Sequence, residues 1–93
     1  MTEQQLQTRI MQDMGSMGGY TVKVIQGTRA GIPDIIACFK GRFIAIEVKA
    51  EGKAASPLQW ENFGRTNKAG GTSYLIDSWE RWQEAKKKIG DMG

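Results

Sequence analysis

The sequence has no histidine and a single cysteine among its 93 residues. The first absence removes imidazole as a general base and as a zinc ligand, and the second removes thiolate metal sites and any internal disulfide. Catalysis by such a chain must rest on carboxylates, lysine or hydroxyl groups. The lone Cys38 lies in an apolar run and reads as a small core residue of a protein from a reducing compartment. Long apolar runs are also missing: none approaches the roughly 20 residues that cross a bilayer. The polar start Thr2-Glu3-Gln4-Gln5 is unlike a signal peptide, so a soluble, cytoplasmic protein is expected. There is no internal repeat and no low-complexity segment, and the longest stretch without a predicted element is the loop Ala50 to Ser56.

What is present suits one domain spanning residues 1–93. A mass of 10.3 kDa is enough for one compact unit, and 40% hydrophobic with 25% charged residues is near the globular average. The net charge of +3 and pI near 9.2 are compatible with a polyanionic partner. They fall short of the dense basic stripe that would by itself diagnose nucleic-acid binding.

Hydrophobic periodicity and punctuation give the order αβββαβα, an α/β fold. Thr2-x-x-Gln5 has the form of a capping box, and Leu6, Ile10 and Met14 follow at intervals of four, predicting an amphipathic helix over 3–14 that Gly15, Gly18 and Gly19 end. Residues 20–26, 34–39 and 42–49 are β-rich, the last two separated by Lys40-Gly41 at the spacing of a tight hairpin. Ser56-Pro57-x-Gln59 opens a second helix over 57–69, stopped by Gly70-Gly71. A fourth strand over 72–76 and a last helix over 78–89, with Trp79, Trp82, Ala85 and Ile89 on one face, complete the chain. The strand–helix–strand passage from Arg42 to Ile76 implies a crossover, hence a mixed four-stranded sheet flanked by helices.

The hairpin places chemistry. With a two-residue turn at Lys40-Gly41, the numbers of paired residues sum to 81, and Asp34 faces Glu47. Opposed residues on antiparallel strands hold their Cβ atoms about 4.5–5.5 Å apart, where like charges repel unless something offsets them. A divalent cation would do so, because two convergent carboxylates supply the hard oxygen ligands that Mg²⁺ prefers. Alternation puts Phe43, Ala45, Glu47 and Lys49 on one face, with room for a ligand expected behind the small Ala45. Lys49 beside the acids could orient an attacking water or stabilise charge on a pentavalent phosphate. Singly, each residue has a bland reading: Glu47 and Lys49 as a surface ion pair, Asp34 as a turn residue after Pro33. Together they close an otherwise apolar run in a way that folding does not require.

Two more residues have open roles. Glu3 falls on the buried stripe of the first helix, either favouring the positive end of the helix dipole or reaching the metal site as a third acid. Gln59 is either the third residue of a capping box or a polar side chain aimed at phosphate or water, and its spacing favours the cap. Lys86, Lys87 and Lys88 read as a solvated helix end.

The ordered strings Gly31-Ile32-Pro33-Asp34, Ile46-Glu47-Val48-Lys49 and Ser56-Pro57-Leu58-Gln59 resemble the PD-(D/E)xK nuclease superfamily, and within it the VRR-NUC family in its short stand-alone phage and bacterial form. The resemblance covers nearly the whole chain, although no literal "VRR" element occurs. It implies a restriction-endonuclease-like core and Mg²⁺ or Mn²⁺ bound by Asp34, Glu47 and the Val48 carbonyl. Lys49 would then aid the nucleophilic water, with Glu3 and Gln59 completing the site. It further implies a homodimeric endonuclease acting on branched DNA such as four-way (Holliday) junctions, in the cytoplasm of a bacterium or phage-infected cell. Two other readings compete. One is a non-catalytic nucleic-acid-binding module using Lys23, Arg29, Lys53 and the C-terminal lysines; the other is a structural subunit indifferent to divalent ions.

Overall fold

The computed structural model describes residues 1–91 and has the element order α1 (Glu3–Ser16), β1 (Tyr20–Lys23), β2 (Ile35–Phe39), β3 (Arg42–Val48), α2 (Pro57–Lys68), β4 (Thr72–Ile76) and α3 (Trp79–Asp91). This is the expected αβββαβα order. One four-stranded sheet holds the strands in sequence order, antiparallel from β1 to β3 and parallel between β3 and β4. The parallel pair requires a crossover, and α2 provides it.

Both predicted capping boxes form. Thr2 accepts from the Gln5 N–H while the Gln5 side chain accepts from the Thr2 N–H, and Ser56 and Gln59 repeat the arrangement at α2. The glycine stop of α1 comes later than expected. Gly15 stays helical and the helix runs to Ser16, the left-handed conformation that ends it coming only at Gly18, φ +93°. The first strand is shorter than expected, since after Lys23 only Val24 remains tied, its N–H donating to the Asp34 carbonyl at 2.8 Å. Residues 25–33 therefore form a long loop.

The β2–β3 turn has the predicted two-residue form, with Lys40 at φ 50° and Gly41 at φ 78°. Pairing from Phe39↔Arg42 through Ile35↔Ile46 keeps the sum of 81 throughout. That register sends Ile44, Ile46 and Val48 to the face covered by α1 and α3, where they meet Leu6, Ile10, Met14, Trp82, Ala85 and Ile89. The α1–α3 contact is tightened by Asp13, which accepts from Trp82 Nε1 at 2.7 Å and from Lys86 Nζ at 3.1 Å. Arg9 stacks its guanidinium over Trp79.

The opposite face is only half covered, because α2 packs over β4 and leaves the β1–β2 side bare. Cys38 consequently departs from expectation. It alternates with the buried Ala37 and Phe39 and is exposed on the uncovered face, rather than buried in the core. Tyr20 and Val22, on the neighbouring strand, are exposed with it. No helix is long and apolar enough to cross a membrane among the described residues.

Candidate active site

Asp34 stands one step before β2, where the hairpin ladder ends. Its backbone carbonyl accepts from the Val24 N–H of the β1 side, and its side-chain Oδ2 accepts from the Val48 N–H of β3 at 2.8 Å. The residue is thus held from both sides, its backbone by Val24 and its carboxylate by Val48. The Val48 bond occupies one of its two oxygens.

Glu47 is the partner that the register demands, one rung beyond Ile35↔Ile46. It is 3% exposed, and it is the charged residue buried with the core. Burial, a carboxyl–carboxyl hydrogen bond with Asp34 and the Asp34 charge together raise its pKa to about 8, while Lys49 opposes the shift and Glu3 adds to it. The Asp34 hydrogen bond exists only while a proton is shared. As a carboxylate, Glu47 has an Oε2 that is buried and without a donor. An orphaned carboxylate oxygen beside a second carboxylate is a strongly unfavourable arrangement in the absence of a cation.

Lys49 follows the last residue of β3, and its N–H donates to the Ile76 carbonyl of β4 at 2.9 Å. It borders an open cavity of about 330 Å³ together with Glu3, Glu51, Asp77 and Glu80. Glu3 reaches the same strand end by a different route: its Oε1 accepts from the Ala50 N–H at 2.6 Å. The helix-start acid thereby clamps α1 to the residue after Lys49. Among the described residues, no group of three or more His, Cys, Asp or Glu side chains converges as a metal cage. Two convergent acids, Asp34 and Glu47, form the centre, and Glu3 stands beside it on the backbone.

Gln59 takes the role its spacing favoured. Its Oε1 accepts from the Ser56 N–H at 2.8 Å, so that oxygen is committed to the cap of α2. The room expected behind Ala45 does not exist, because Ala45 is 1% exposed in the middle of the sheet between Ile36 and Ser73. Open space lies past the strand end, at Lys49.

The structure adds two residues whose roles sequence reasoning did not reach. Asn62 on α2 donates through Nδ2 to the Ala30 carbonyl at 3.0 Å and to the Leu58 carbonyl at 2.9 Å, pinning the loop that leads into Asp34. Gly31 permits the same approach. It sits at φ +75°, and a Cβ there would come within 2.6 Å of the Leu58 carbonyl carbon. The Gly31-Ile32-Pro33-Asp34 string held the only available signal, a glycine just before Pro-Asp. Asn62 gave none, because its partner lies 32 residues away in sequence.

The donor set fits a hard divalent cation: two carboxylates on adjoining strands, one with an unpartnered buried oxygen, at the end of a strand whose last carbonyl belongs to Val48. The fold itself has a close counterpart. A solved structure described as a VRR_NUC domain superposes with a TM-score of 0.82 over 91% of this chain and 94% of its own, at 23% sequence identity. In sequence, a protein of Acyrthosiphon pisum secondary endosymbiont phage 1 described as "Putative nuclease p44" is 27% identical over 77 residues, covering 82% of this chain and 83% of its own. No family model matches the chain.

Proposed function

We propose that this protein is a Mg²⁺- or Mn²⁺-dependent endonuclease that hydrolyses DNA phosphodiester bonds, with Asp34, Glu47 and Lys49 at its centre. The observation that carries the proposal is Glu47, a carboxyl group 3% exposed, with an orphaned oxygen beside a second acid. Folding alone gives no reason to keep it, and a cation-binding role does. The phage relative described as a nuclease and the VRR_NUC fold support the same reaction class.

In this reading Asp34, Glu47 and the Val48 carbonyl hold the cation, and Glu3 acts at the edge of the site. When bound, the cation supplies Lewis-acid stabilisation of the charge that develops on the phosphate oxygens. The chain's own residues set the geometry. The Val48 N–H fixes the Asp34 carboxylate, and the Ala50 N–H held by Glu3 fixes the backbone on the far side of Lys49. Lys49 orients the attacking water and offsets negative charge on the phosphorane. The water oxygen bonds to phosphorus and its proton leaves to solvent, while the bond to the departing sugar oxygen breaks and that oxygen takes up a proton. Gln59 contributes through its remaining amide group, because its oxygen is held in the cap.

Branched DNA such as a four-way junction is the proposed substrate and a homodimer the proposed assembly, since a two-fold enzyme suits a substrate with two-fold symmetry. The bare β1–β2 face supports a second copy, with Tyr20 71% and Val22 38% exposed. The test is cleavage of labelled four-way-junction, flap and linear DNA with Mg²⁺, Mn²⁺ or EDTA, using wild type, Asp34→Asn and Lys49→Ala. Metal-dependent cleavage lost in Asp34→Asn and reduced about 10²-fold or more in Lys49→Ala supports the reading. Cleavage by both variants at the wild-type rate would overturn the assignment of the site.

A further inference from the structure

A second feature lies on the α2 side of the sheet, at the opposite end of β3 from the carboxylates. Residues Arg29, Phe43, Asn62, Arg65 and Thr66 border an open groove of about 440 Å³ between the 25–33 loop, α2 and the start of β3. Phe43 is 47% exposed, which is unusual for a phenyl ring anchored at a strand start. Its position is built rather than accidental: a Cβ on Gly71 would come within 3.1 Å of Phe43 Cδ1, so the glycine lets the strand end and the ring lie together. Arg29 and Arg65 border the same groove, and among the described residues no carboxylate does. Glu61 pairs with Arg65 at 3.1 Å from outside, an exposed contact that leaves the remaining guanidinium N–H groups free to bind. Asn62 spends its amide hydrogens on the Ala30 and Leu58 carbonyls and so presents its oxygen as an acceptor.

We infer that this groove holds an unpaired nucleotide of the DNA substrate, its base stacked on Phe43 and its phosphates met by Arg29 and Arg65. An exposed aromatic ring in a groove lined by cations is the chemistry that binds single-stranded nucleic acid, because every base offers a π-face and every linkage a negative charge. The placement also suits the proposed reaction. Phe43 and Glu47 alternate on the same face of β3, four residues apart, which sets the groove about 13 Å along the strand from the carboxylates. A strand entering through the groove would pass along the loop held by Asn62 and reach Asp34. The inference rests on the reading of DNA as substrate, and it assigns to the groove the recognition of unpaired nucleotides next to a branch point.

The test is fluorescence-anisotropy titration of labelled oligothymidine and of a blunt duplex with Asp34→Asn protein, which cannot consume the probe, alone and combined with Phe43→Leu, Phe43→Tyr, Arg29→Gln or Arg65→Gln. Phe43→Leu is expected to weaken oligothymidine binding about 5- to 150-fold and duplex binding much less, and Phe43→Tyr to restore it. Each arginine change should lower the slope of log affinity against log salt by about 0.7. Unchanged oligothymidine affinity in folded Phe43→Leu protein, checked by its melting transition, overturns the inference. So does a Phe43→Leu protein that changes oligomeric state and binds as before per protomer, which would assign the ring to a contact between copies. The two readings fail separately. Wild-type cleavage with unaltered groove variants removes the groove alone, whereas groove-dependent binding without metal-dependent cleavage removes the nuclease.

Discussion

Asp34 and Val48 are joined by a hydrogen bond that continues the β2–β3 hairpin after its backbone ladder has stopped, the Val48 N–H donating to Asp34 Oδ2 at 2.8 Å. The side chain therefore has a structural and a chemical task, and substitutions should separate them. Asp34→Asn keeps an oxygen that can accept from Val48, so its melting temperature without metal should stay within a few degrees of wild type. Its stabilisation by saturating Mg²⁺ or Mn²⁺ should vanish with its cleavage. Asp34→Ala loses both tasks and leaves the Val48 N–H unpaired, with an expected destabilisation of about 1–3 kcal/mol by urea unfolding. Equal stability of the Asn and Ala variants would remove the structural role.

Glu47 gives a pH signature. Its pKa is raised in the fold from 4.5 to about 8, first by burial and then by Asp34, so the folded state holds a proton that the unfolded chain has released. The contribution to stability is then complete below about pH 4.5 and is lost as pH rises through about 8. Metal-free protein should lose stability across that window. Glu47→Gln, which cannot ionise, should show a flatter profile there and match or exceed wild type at the alkaline end. A divalent cation favours the charged carboxylate, so it should lessen the wild-type decline and leave the Gln variant unmoved. Stability of wild type that climbs across the same window would contradict the assignment, as would an equal metal effect in both proteins.

Much of the hairpin that carries the candidate site was legible in the sequence, and the reason is the regularity of strands. A two-residue turn at Lys40-Gly41 fixes every pair in the hairpin by subtraction, so Asp34 against Glu47 follows from the numbering alone. Caps are equally local, which is why Thr2 with Gln5 and Ser56 with Gln59 formed as their spacing predicts. What depends on distant packing was less visible. Cys38 was expected in the core because its neighbours are apolar, and only the placement of α2 over β4 decides that its face stays bare. Ala45 failed as a ligand space for the converse reason, since β4 adds Ser73 on its other side and it is left 1% exposed in the middle of the sheet. The destination of the Glu3 carboxylate, an N–H 47 residues away, required knowing where α1 docks.

Gly31 should tolerate no side chain. Its φ of +75° disfavours any L-residue by about 1–2 kcal/mol, and an added Cβ would meet the backbone of Leu58 rather than a flexible chain end. Gly31→Ala is expected to push the 25–33 loop off α2 and to break the Asn62 bond to Ala30. The loss should exceed the dihedral term, and it should weaken metal binding by displacing Asp34 three residues later. Calorimetric melts and a Mn²⁺ titration would check both, and Asn62→Ala should reproduce the weaker metal binding with a smaller stability loss. Wild-type Mn²⁺ affinity in both variants would show that the loop latch does not position Asp34.

Asp13 tests the scaffold independently of the site. Burial tends to raise its pKa, but the hydrogen bonds from Trp82 and Lys86 and the positive charges of Lys86 and Arg9 outweigh it, and the net shift is downward. A lowered carboxylate stabilises the fold above its unfolded pKa of 3.8 and loses that contribution as pH falls through the folded value. Asp13→Ala removes the acceptor of the Trp82 Nε1–H, on a side chain that is 0% exposed, and frees Lys86. The expected loss at neutral pH is about 1–3 kcal/mol, most of it from the stranded indole N–H. Lys86→Ala should lose less, because that ion pair is partly solvated. Although α1 also delivers Glu3 to Ala50, that bond is at the start of the helix and Asp13 is near its end, so Asp13→Ala should reduce stability while leaving metal affinity of the remaining folded protein intact. A fall in metal affinity as large as that of Asp34→Asn would mean that the α1–α3 contact and the site are one cooperative unit.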